Sequence, residues 1–371
     1  MFIGVPKEIK ADEYRVGLTP RTVGELTARG HQVAVETMAG AGAGIADQEY
    51  IAAGAEIVAS ADRIFRRAEL IVKVKEPLAS ERSQLRRGQI IFTYLHLAPD
   101  PEQTRELMAS GVTAIAYETV TDAAGKLPLL APMSSVAGRM APQVAAHFLQ
   151  RPEGGRGILL GGIEGVPSAK VLVLGGGVVG SGAAEMAIGM GADVTIATRS
   201  SDTLRHLSQR FGERATTVTA DTGVIEALCA SADVVVGAAL VAGGAAPKLV
   251  SARTVASMKQ GSVIVDVSID QGGCAETSRP TTHSRPTFVI DGVVHYCVAN
   301  MPGAVPRTSA FALDNATRPF VLALADKGFP QALIDDPHLQ NGLNVHDGKI
   351  TCRAVADALR LPYVAASEVL G

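Results

Sequence analysis

Cysteine is scarce in this chain of 371 residues. The four cysteines are Cys229, Cys274, Cys297 and Cys352, which lie far apart and form no CxxC pair. Zinc sites and redox motifs need closely spaced cysteines, and disulfide frameworks are typical of small secreted chains. We therefore predict four buried, reduced thiols in a cytoplasmic protein and no metal site, with zinc or disulfide chemistry as the less favoured alternative.

The sequence also lacks a strong excess of either charge and any long hydrophobic run. Its formal net charge is -3 at pH 7, which argues against binding to nucleic acid or to an anionic membrane. No stretch of 18 uncharged apolar residues occurs, so we predict no membrane span. The first residues, MFIGVPKE, lack the basic and apolar regions of a signal peptide. Small molecules and other subunits are the expected partners.

Glycine and hydrophobic residues, in contrast, are abundant: the chain has 39 glycines and is 47% hydrophobic. Short apolar runs alternate with amphipathic ones in two series, a pattern typical of strands joined by helical crossovers. The predicted strands are residues 2–5, 32–36, 70–74, 90–95 and 114–118, then 171–174, 194–197, 234–236, 263–267 and 295–298. A long helical segment, 134–150, lies between the two series. The chain is thus predicted to form two α/β domains, each with a parallel sheet.

Helix signals occur in the first series and in the tail. Thr19 and Asp100 each precede a proline and are predicted N-caps. After Asn300 the pattern is helical, with no predicted strand, over residues 309–327, 331–335 and 352–359. We expect this tail to pack on the first domain.

A glycine-rich motif lies between the first strand and the first helix of the second series. Gly175, Gly177 and Gly180 form G-x-G-x-x-G after VLVL and before a helix predicted to begin near Val179. In dinucleotide-binding units these glycines permit a tight turn, close approach of the pyrophosphate, and close packing of helix on strand. The motif in this setting predicts dinucleotide binding, and a merely tight turn is the alternative.

The carboxylate that usually ends the second strand of such a unit is missing. The segment DVTIATRS, residues 193–200, has Thr198 and Arg199 there, followed by serines. An acidic residue at this place binds the ribose 2′-hydroxyl and repels a 2′-phosphate, so a small polar residue with an arginine favours NADP. The alternative is that Arg199 is an ordinary solvated loop arginine.

Four polar residues stand in apolar surroundings, and three of them, Lys75, His96 and Asp270, lie at or just beyond the carboxyl ends of predicted strands. The four are Arg15 in ADEYRVGLTP, Lys75 in LIVKVKEP, His96 after IIFTYL and Asp270 after VIVDVSI. Open α/β sheets bind ligands at the carboxyl ends of strands, and histidine exchanges protons near neutral pH. Taken singly, a solvated lysine or a boundary histidine is a sufficient explanation, but the cluster is more informative than its members.

The order of these motifs resembles the alanine dehydrogenases, which are related to the dinucleotide-binding part of proton-translocating transhydrogenases. The resemblance covers essentially the whole chain and includes GVPKEIKADEYRVGLTP, KVKEP, YLHLA, AYETV, VLVLGGGVVGSGAAEMAIGMGADV, VDVSIDQGGC and CVANMPGAVPRTSAFALDNAT. It implies two Rossmann-like, doubly wound parallel-sheet domains joined by long helices. A substrate domain of residues 1–128 plus 307–371, a dinucleotide-binding domain of residues 129–306 and a homohexamer are also implied.

The resemblance further implies reversible oxidative deamination of L-alanine to pyruvate and ammonium with NAD(P). Arg15 and Lys75 are expected to hold the substrate, His96 to act as general acid and base, and Asp270 to orient water and ammonia. The residues expected to contact the cofactor are Ser134, Gly175, Gly177, Val179, Gly180, Thr198, Arg199, Leu240, Ile269, Asn300 and Met301.

Four positions depart from the family pattern. Thr198 replaces an aspartate, Ser135 a glutamate, Ala242 a proline and Arg307 a lysine. Because the catalytic set is intact and most changes fall near the cofactor, we expect a changed cofactor preference rather than a lost activity. Two alternatives remain: the same chemistry on another small 2-oxo acid or amino acid, and a non-catalytic nucleotide-binding relative.

Overall fold

A computed structural model of the chain describes residues 1–239 and 246–371, which divide into two compact units. The first unit comprises Met1–Met133 and Gly303–Gly371, and the second comprises Ser134–Pro302. The sequence predicts the first boundary at 128, five residues earlier, and the second at 306, four residues later.

The strands of the described ranges are short and mostly apolar. In chain order they are β1 (Phe2–Val5), β2 (Gln32–Glu36), β3 (Glu56–Val58), β4 (Leu70–Val72), β5 (Ile90–Thr93), β6 (Thr113–Ala116), β7 (Lys170–Leu174), β8 (Asp193–Thr198), β9 (Thr216–Thr219), β10 (Val234–Gly237), β11 (Val263–Asp266), β12 (Thr287–Ile290), β13 (Val293–Tyr296), β14 (Leu343–His346) and β15 (Lys349–Ile350).

Helices connect most of these strands. In chain order they are α1 (Pro20–Ala28), α2 (Asp47–Ala52), α3 (Ala61–Arg67), α4 (Ala79–Arg82), α5 (Pro101–Ser110), α6 (Ala131–Phe148), α7 (Val178–Gly189), α8 (Ser201–Phe211), α9 (Thr222–Ser231), α10 (Ala252–Ala256), α11 (Pro306–Lys327), α12 (Gln331–Asp335), α13 (Pro337–Gln340), α14 (Arg353–Leu359) and α15 (Ala366–Leu370). Short 3₁₀ helices cover Ala41–Ala43, Tyr117–Thr119, Arg151–Glu153, Gly212–Arg214, Val267–Gln271 and Met301–Ala304.

The sheet of the first unit has the strand order β15-β14-β6-β5-β4-β1-β2-β3. The strands from β6 to β3 are all parallel to their neighbours, whereas β14 and β15 pair antiparallel. The prediction that the tail contains no strand is therefore wrong, because residues 343–350 form a hairpin that extends this sheet. The prediction that the tail packs on the first domain is confirmed by this pairing.

The sheet of the second unit has the order β12-β13-β11-β10-β7-β8-β9 within the described residues. All neighbours are parallel except β12, which pairs antiparallel with β13. Both sheets are thus predominantly parallel, as predicted, with antiparallel strands at one edge.

Alternation of side chains along the central strands explains why helices cover both faces of the second sheet. Val171 and Val173 of β7 pack into one apolar cluster, and Leu172 and Leu174 pack into another on the opposite face. Successive side chains of a strand point to opposite faces, so a continuous apolar run needs cover on both sides. The predicted doubly wound α/β fold is confirmed in this unit.

One of the two predicted N-caps is confirmed and the other is wrong. The carboxylate of Asp100 accepts the Gln103 N–H at 3.0 Å and caps α5, as predicted. The hydroxyl of Thr19 does not cap α1 but donates to Asp314 of α11 at 2.8 Å, and Asp314 also accepts the Thr19 N–H. A buried acceptor from the tail thus replaces the local cap.

Candidate active site

The predicted substrate residues follow the strands on either side of the point where the first sheet reverses its order. From β1, the chain adds β2 and β3 on one side and β4, β5 and β6 on the other. Arg15 lies in the segment after β1, Lys75 lies shortly after β4, and His96 lies shortly after β5. Because these parallel strands are neighbours, their carboxyl ends share one edge of the sheet. Open α/β sheets bind ligands at such switch points.

Arg15 is buried, and both oxygens of the Glu13 carboxylate hold its guanidinium. Arg15 Nε donates to Glu13 Oε1 at 2.7 Å, and Nη2 donates to Oε2 at 2.5 Å. Nη1 donates to the sulfur of Met133 at 3.0 Å. Burial alone lowers the pKa of Arg15, but the hydrogen bonds and charge of Glu13 raise it above its usual value. These two hydrogen bonds to one carboxylate fix the plane of the Arg15 guanidinium, which is permanently charged.

A second buried ion cluster supports the chain next to Lys75. Lys73 Nζ donates to Glu8 at 3.0 Å and to Glu81 at 2.7 Å, and the other oxygen of Glu8 accepts the Val74 N–H at 2.6 Å. The cluster has two carboxylates for one ammonium, and burial raises the pKa of Glu8 although Lys73 acts to lower it. Glu8 thereby fixes the backbone of the residue that immediately precedes Lys75.

His96 has a left-handed backbone conformation, with φ of 49°. It lies between the buried side chains of Leu95 and Leu97, while its own side chain is 44% exposed. The carboxylate of Glu118 accepts the His96 N–H at 2.6 Å and the Leu95 N–H at 3.2 Å, and it lies 3.9 Å from His96 Nδ1. An exposed imidazole on a fixed loop is what general acid–base chemistry requires.

Tyr94 lies next to both Arg15 and His96. Its ring is nearly parallel to that of His96, with 5.8 Å between centroids, and its hydroxyl donates to the Leu129 carbonyl at 2.6 Å. Burial raises the pKa of Tyr94, although the charge of Arg15 acts to lower it. Tyr94 is therefore a neutral phenol at physiological pH, and Arg15 and His96 share it as a neighbour.

The glycine motif of the second unit lies at the switch point of the second sheet, between β7 and β10. Gly175 has φ of 110°, and a Cβ there would lie 2.6 Å from the Ala238 carbonyl oxygen. A Cβ on Gly180 would lie 1.9 Å from the Gly175 carbonyl oxygen, whereas a Cβ on Gly177 would meet no atom within 4 Å. A tight turn, a close helix contact and open space at the start of α7 are the features that fit a dinucleotide pyrophosphate.

Helix α6 touches the beginning of α7 with its backbone. A Cβ on Gly138 would lie 2.3 Å from the Val179 carbonyl oxygen. Ser134 is half-buried and lies one helical turn before Gly138, so the two residues share a face of α6. Ser134 and Val179, both predicted cofactor contacts, therefore belong to adjacent helices of this unit.

Thr198 ends β8 beside the glycine loop. Its Cγ2 lies 3.5 Å from the position of a Cβ on Gly176. Arg199 and Ser200 follow and are exposed, and the Ser200 hydroxyl accepts the Thr203 N–H at 3.2 Å to cap α8. Within residues 1–239 and 246–371, Arg199 has no hydrogen bond or ion pair. An uncompensated cation thus follows the strand where a ribose-binding acid is usual.

Asp270 and Ile269 lie in the 3₁₀ helix after β11. Ile269 is buried and Asp270 is exposed. The carboxylate of Asp266, at the start of this helix, is buried and accepts several hydrogen bonds. The donors are the N–H groups of Ser268 (3.2 Å), Cys274 (2.8 Å) and Ala275 (3.2 Å) and the hydroxyl of Ser278 (2.6 Å). Asp266 therefore holds the turn that exposes Asp270.

Asn300 and Met301 follow β13 and end the second unit. Asn300 has φ of 66°, and its carbonyl oxygen lies 3.1 Å from Nε2 of His283. Met301 is buried in the core of the unit. Leu240, a further predicted cofactor contact, lies outside the described residues.

Ser135 and Arg307, which also depart from the family pattern, have different surroundings. Ser135 is half-buried on α6. Arg307, at the start of α11, donates to the carbonyl oxygens of Ala43 (3.1 Å) and Gly44 (2.9 Å) and so caps the 3₁₀ helix of the first unit. Arg307 therefore has a structural contact, and Ala242 lies outside the described residues.

Sequence reasoning missed the side chains that hold the predicted ones: Glu13, Tyr94, Glu118 and Asp266. Three of these lie within four residues of a predicted site residue. Glu118 is 22 residues from His96, but it follows β6, the parallel neighbour of β5. The rule that strand ends share an edge provides a signal for Glu118.

Membrane-spanning helices and metal-binding clusters are both absent from the described ranges. No helix there is long and apolar enough to cross a membrane. In the same ranges, no group of three or more His, Cys, Asp or Glu side chains is arranged to hold a metal ion.

A dinucleotide-binding α/β unit, joined to a second α/β unit with a histidine and two cations at its switch point, is the arrangement of a nicotinamide-dependent dehydrogenase. Models of the alanine dehydrogenase/PNT family match the chain over residues 4–137 for the N-terminal domain and 141–353 for the C-terminal domain. The chain belongs to this family.

Individual relatives agree with this membership. An alanine dehydrogenase of Halomonas elongata is 57% identical over 371 residues, which is 100% of both chains. A solved L-alanine dehydrogenase is 51% identical with a TM-score of 0.94, and the match covers 97% of this chain and 99% of that one. A transhydrogenase from Sinorhizobium meliloti is 25% identical with a TM-score of 0.82, covering 95% and 100%.

Proposed function

We propose that this protein catalyses the reversible oxidative deamination of L-alanine to pyruvate and ammonium with a nicotinamide dinucleotide. The observation that carries the proposal is the arrangement of Arg15, Tyr94 and His96 at the switch point of the first sheet. Full-length identity of 57% to an alanine dehydrogenase supports the choice of substrate. On this proposal the first unit binds the substrate and the second binds the dinucleotide.

Arg15 and Lys75 bind and orient the substrate in this proposal. The guanidinium of Arg15, already fixed by Glu13, holds the carboxylate of alanine or pyruvate. The ammonium of Lys75 stabilises the negative charge that develops on the carbonyl oxygen of pyruvate. Fixed cations supply this stabilisation without reorganising during the reaction.

In this proposal His96 transfers protons, and Asp270 orients water and ammonia. A bound dinucleotide would supply the hydride acceptor for Cα of alanine in its free-amine form. The resulting imine is attacked by a water molecule that Asp270 orients, and His96 takes the proton that this water loses. His96 then returns the proton to the nitrogen and takes the proton of the carbinolamine hydroxyl as the C–N bond breaks, so that ammonia leaves and the carbonyl of pyruvate forms. In the reverse direction the same groups act with their roles exchanged.

The cofactor contacts proposed here are the predicted ones. The glycine loop binds the pyrophosphate at the start of α7, with Ser134 and Val179 beside it. Asn300 and Met301 line the nicotinamide site, and Leu240 and Ile269 complete the contacts.

We further propose that NADP(H) is used at least as well as NAD(H). Arg199 is exposed and without an ion pair in the described ranges, and Thr198 leaves no acid to repel a 2′-phosphate. The nearest acid on α8, Asp202, is paired with Arg205. A 2′-phosphate at this strand end would meet an available cation and hydroxyl groups.

One kinetic panel tests both proposals: several 2-oxo acids with ammonium, each with NADH and with NADPH. We expect the highest kcat/KM with pyruvate, and a kcat/KM for NADPH no lower than that for NADH. Turnover of another 2-oxo acid but not of pyruvate contradicts the substrate, and unchanged turnover in His96→Ala contradicts the catalytic site.

A variant pair tests the cofactor residues separately. Arg199→Ala should lower kcat/KM for NADPH about tenfold, the equivalent of about 1.4 kcal/mol, and leave the value for NADH nearly unchanged. Arg210→Ala, which removes an arginine paired with Glu185 at the far end of α8, is the matched control. Equal effects of Arg199→Ala on both cofactors would contradict a 2′-phosphate contact. The double variant Thr198→Asp with Arg199→Ile should shift the preference toward NADH.

The family resemblance also leads us to propose a homohexamer that works in the cytoplasm. Light scattering coupled to size-exclusion chromatography tests the assembly, and cell fractionation tests the location. A monomer at micromolar concentration would contradict the hexamer.

A further inference from the structure

The loop that carries His96 is held by side chains from two neighbouring elements. Glu118 accepts the N–H groups of Leu95 and His96 at 3.2 and 2.6 Å. Gln103 Nε2 donates to the Leu95 carbonyl at 2.6 Å, and the Thr104 hydroxyl donates to the Leu97 carbonyl at 3.1 Å. Four backbone groups in three consecutive residues are thereby fixed by side chains.

These side chains themselves have fixed positions. Glu118 lies in the 3₁₀ helix directly after β6, which is the parallel neighbour of β5. Gln103 and Thr104 lie in the first turn of α5, which Asp100 caps, and both are fully buried. Each of the two residues directs a buried side-chain donor to a carbonyl of the loop, which satisfies that donor.

The conformation that they hold is an unfavourable one. His96 has φ of 49°, and a non-glycine residue adopts this region only where its surroundings determine it. Without the Glu118 carboxylate, the N–H groups of Leu95 and His96 lose their acceptor, and an extended conformation at His96 becomes accessible. Such a change would move the imidazole away from Tyr94, its stacking neighbour.

We propose that Glu118, assisted by Gln103, is the positioning residue for His96. It holds the backbone at residues 95 and 96 in the left-handed turn that places the imidazole for proton transfer. This inference rests on the proposed function, because it assigns the turn to the general acid–base. Misplacement of a catalytic group by about 1 Å can cost about 100-fold in rate, so the effect should fall on kcat.

Three variants test the inference in the full-length protein with pyruvate, ammonium and NAD(P)H. Glu118→Ala should lower kcat about 10- to 100-fold and leave KM for pyruvate within about threefold. Glu118→Gln, whose carbonyl oxygen can still accept both N–H groups, should recover most of the lost kcat. Gln103→Leu should also lower kcat, and combining it with Glu118→Ala should add little, because both act on the same turn.

Asp314→Asn is the control for loss of a carboxylate that accepts a backbone N–H. Asp314 also accepts a backbone N–H in the first unit, but at the start of α1. This control should lower the melting temperature and leave kcat within about twofold. A loss of kcat in Asp314→Asn as large as that in Glu118→Ala would overturn the inference, because stability would then explain both.

Hydrogen exchange tests the turn independently of turnover. The peptide that contains residues 94–98 should exchange faster in Glu118→Ala than in the wild type, and Glu118→Gln should restore the protection. Unchanged exchange, or a kcat within twofold of the wild type, overturns the inference. Absence of wild-type turnover on every 2-oxo acid would overturn the proposed function instead, and the exchange result would still decide whether Glu118 holds the turn.

Discussion

Glu13 binds Arg15 through both carboxylate oxygens, with Nε–Oε1 of 2.7 Å and Nη2–Oε2 of 2.5 Å, and both side chains are buried. The cation proposed to hold the substrate is therefore paired before any substrate arrives. Removing one partner of a buried ion pair leaves a buried charge, which costs far more than losing a surface pair. Glu13 thus links the stability of the first unit to substrate binding.

We expect Glu13→Ala to lower the free energy of unfolding by about 3–5 kcal/mol, because it removes the carboxylate from a buried guanidinium. KM for pyruvate should rise as well, since Arg15 loses the partner that orients its plane. Urea denaturation and steady-state kinetics measure the two effects.

Glu25→Ala is the control for this variant. Glu25 lies 3.6 Å from Arg21 one turn away on α1 and 3.6 Å from Arg318 of α11, and its own side chain is more than a third exposed. Its loss should cost no more than about 0.5 kcal/mol, with KM unchanged. Similar costs for the two variants would show that the Glu13–Arg15 pair does not behave as a buried pair.

The prediction of four buried thiols is wrong for Cys352, which is half-buried, whereas Cys229, Cys274 and Cys297 are buried and should resist alkylation. Burial raises the pKa of Cys297 to about 11 and that of Cys229 to about 12, and it also raises the pKa of Cys274. The thiolate is the reactive form, so at pH 8 the half-buried Cys352 should react first with iodoacetamide. Mass spectrometry should find all four thiols labelled in urea. Early labelling of Cys297 in the folded protein, or fewer than four labels in urea, would contradict this assignment.

The strands of the two sheets were the part of the fold most open to prediction. Residues 2–5 and 32–36 match β1 and β2, because apolar runs bounded by turn residues identify strands covered on both faces. Strands β3, β9 and β12 were not predicted, and the hairpin of β14 and β15 was missed among the helices of the tail. A sequence signal for this hairpin was nevertheless present, because Asp347 and Gly348 form the Asp-Gly dipeptide typical of a two-residue hairpin turn. Both residues have the positive φ that this turn requires.

The candidate site was predicted less completely than the fold. Charged and polar residues at strand ends identify Lys75 and His96, because sheet geometry places such residues at one edge. The side chains that hold them come from other strands and helices, as Glu118 and Gln103 do for the His96 turn. The strand-end rule points to Glu118, but the hydrogen bonds that Glu118 and Gln103 make depend on tertiary contacts, which no local pattern encodes.

Variants of Asp266 and Asp270 should distinguish a loss of stability from a loss of catalysis. Asp266→Ala removes a buried acceptor of several hydrogen bonds and should lower the free energy of unfolding by at least about 3 kcal/mol. Asp270→Asn changes an exposed side chain and should leave that free energy within about 0.5 kcal/mol while lowering kcat at least about 100-fold. Denaturant titration and kinetics on both variants check this. Full kcat in Asp270→Asn would remove Asp270 from the proposed site.

Alanine substitutions at two glycines of the motif should have different effects on the melting temperature and on dinucleotide affinity. At Gly180 a Cβ would lie 1.9 Å from a carbonyl oxygen, so Gly180→Ala should lower both the melting temperature and dinucleotide affinity. At Gly177 a Cβ meets no protein atom within 4 Å and φ is -72°, so Gly177→Ala should keep the melting temperature but weaken NADPH and NADH binding at least about tenfold. Gly189, at the other end of α7, also has open space, and Gly189→Ala should add about 0.5–1 kcal/mol of stability with unchanged affinity. Calorimetric titration and thermal melts decide: a Gly177→Ala variant that binds as tightly as Gly189→Ala would show that the pyrophosphate does not approach this backbone.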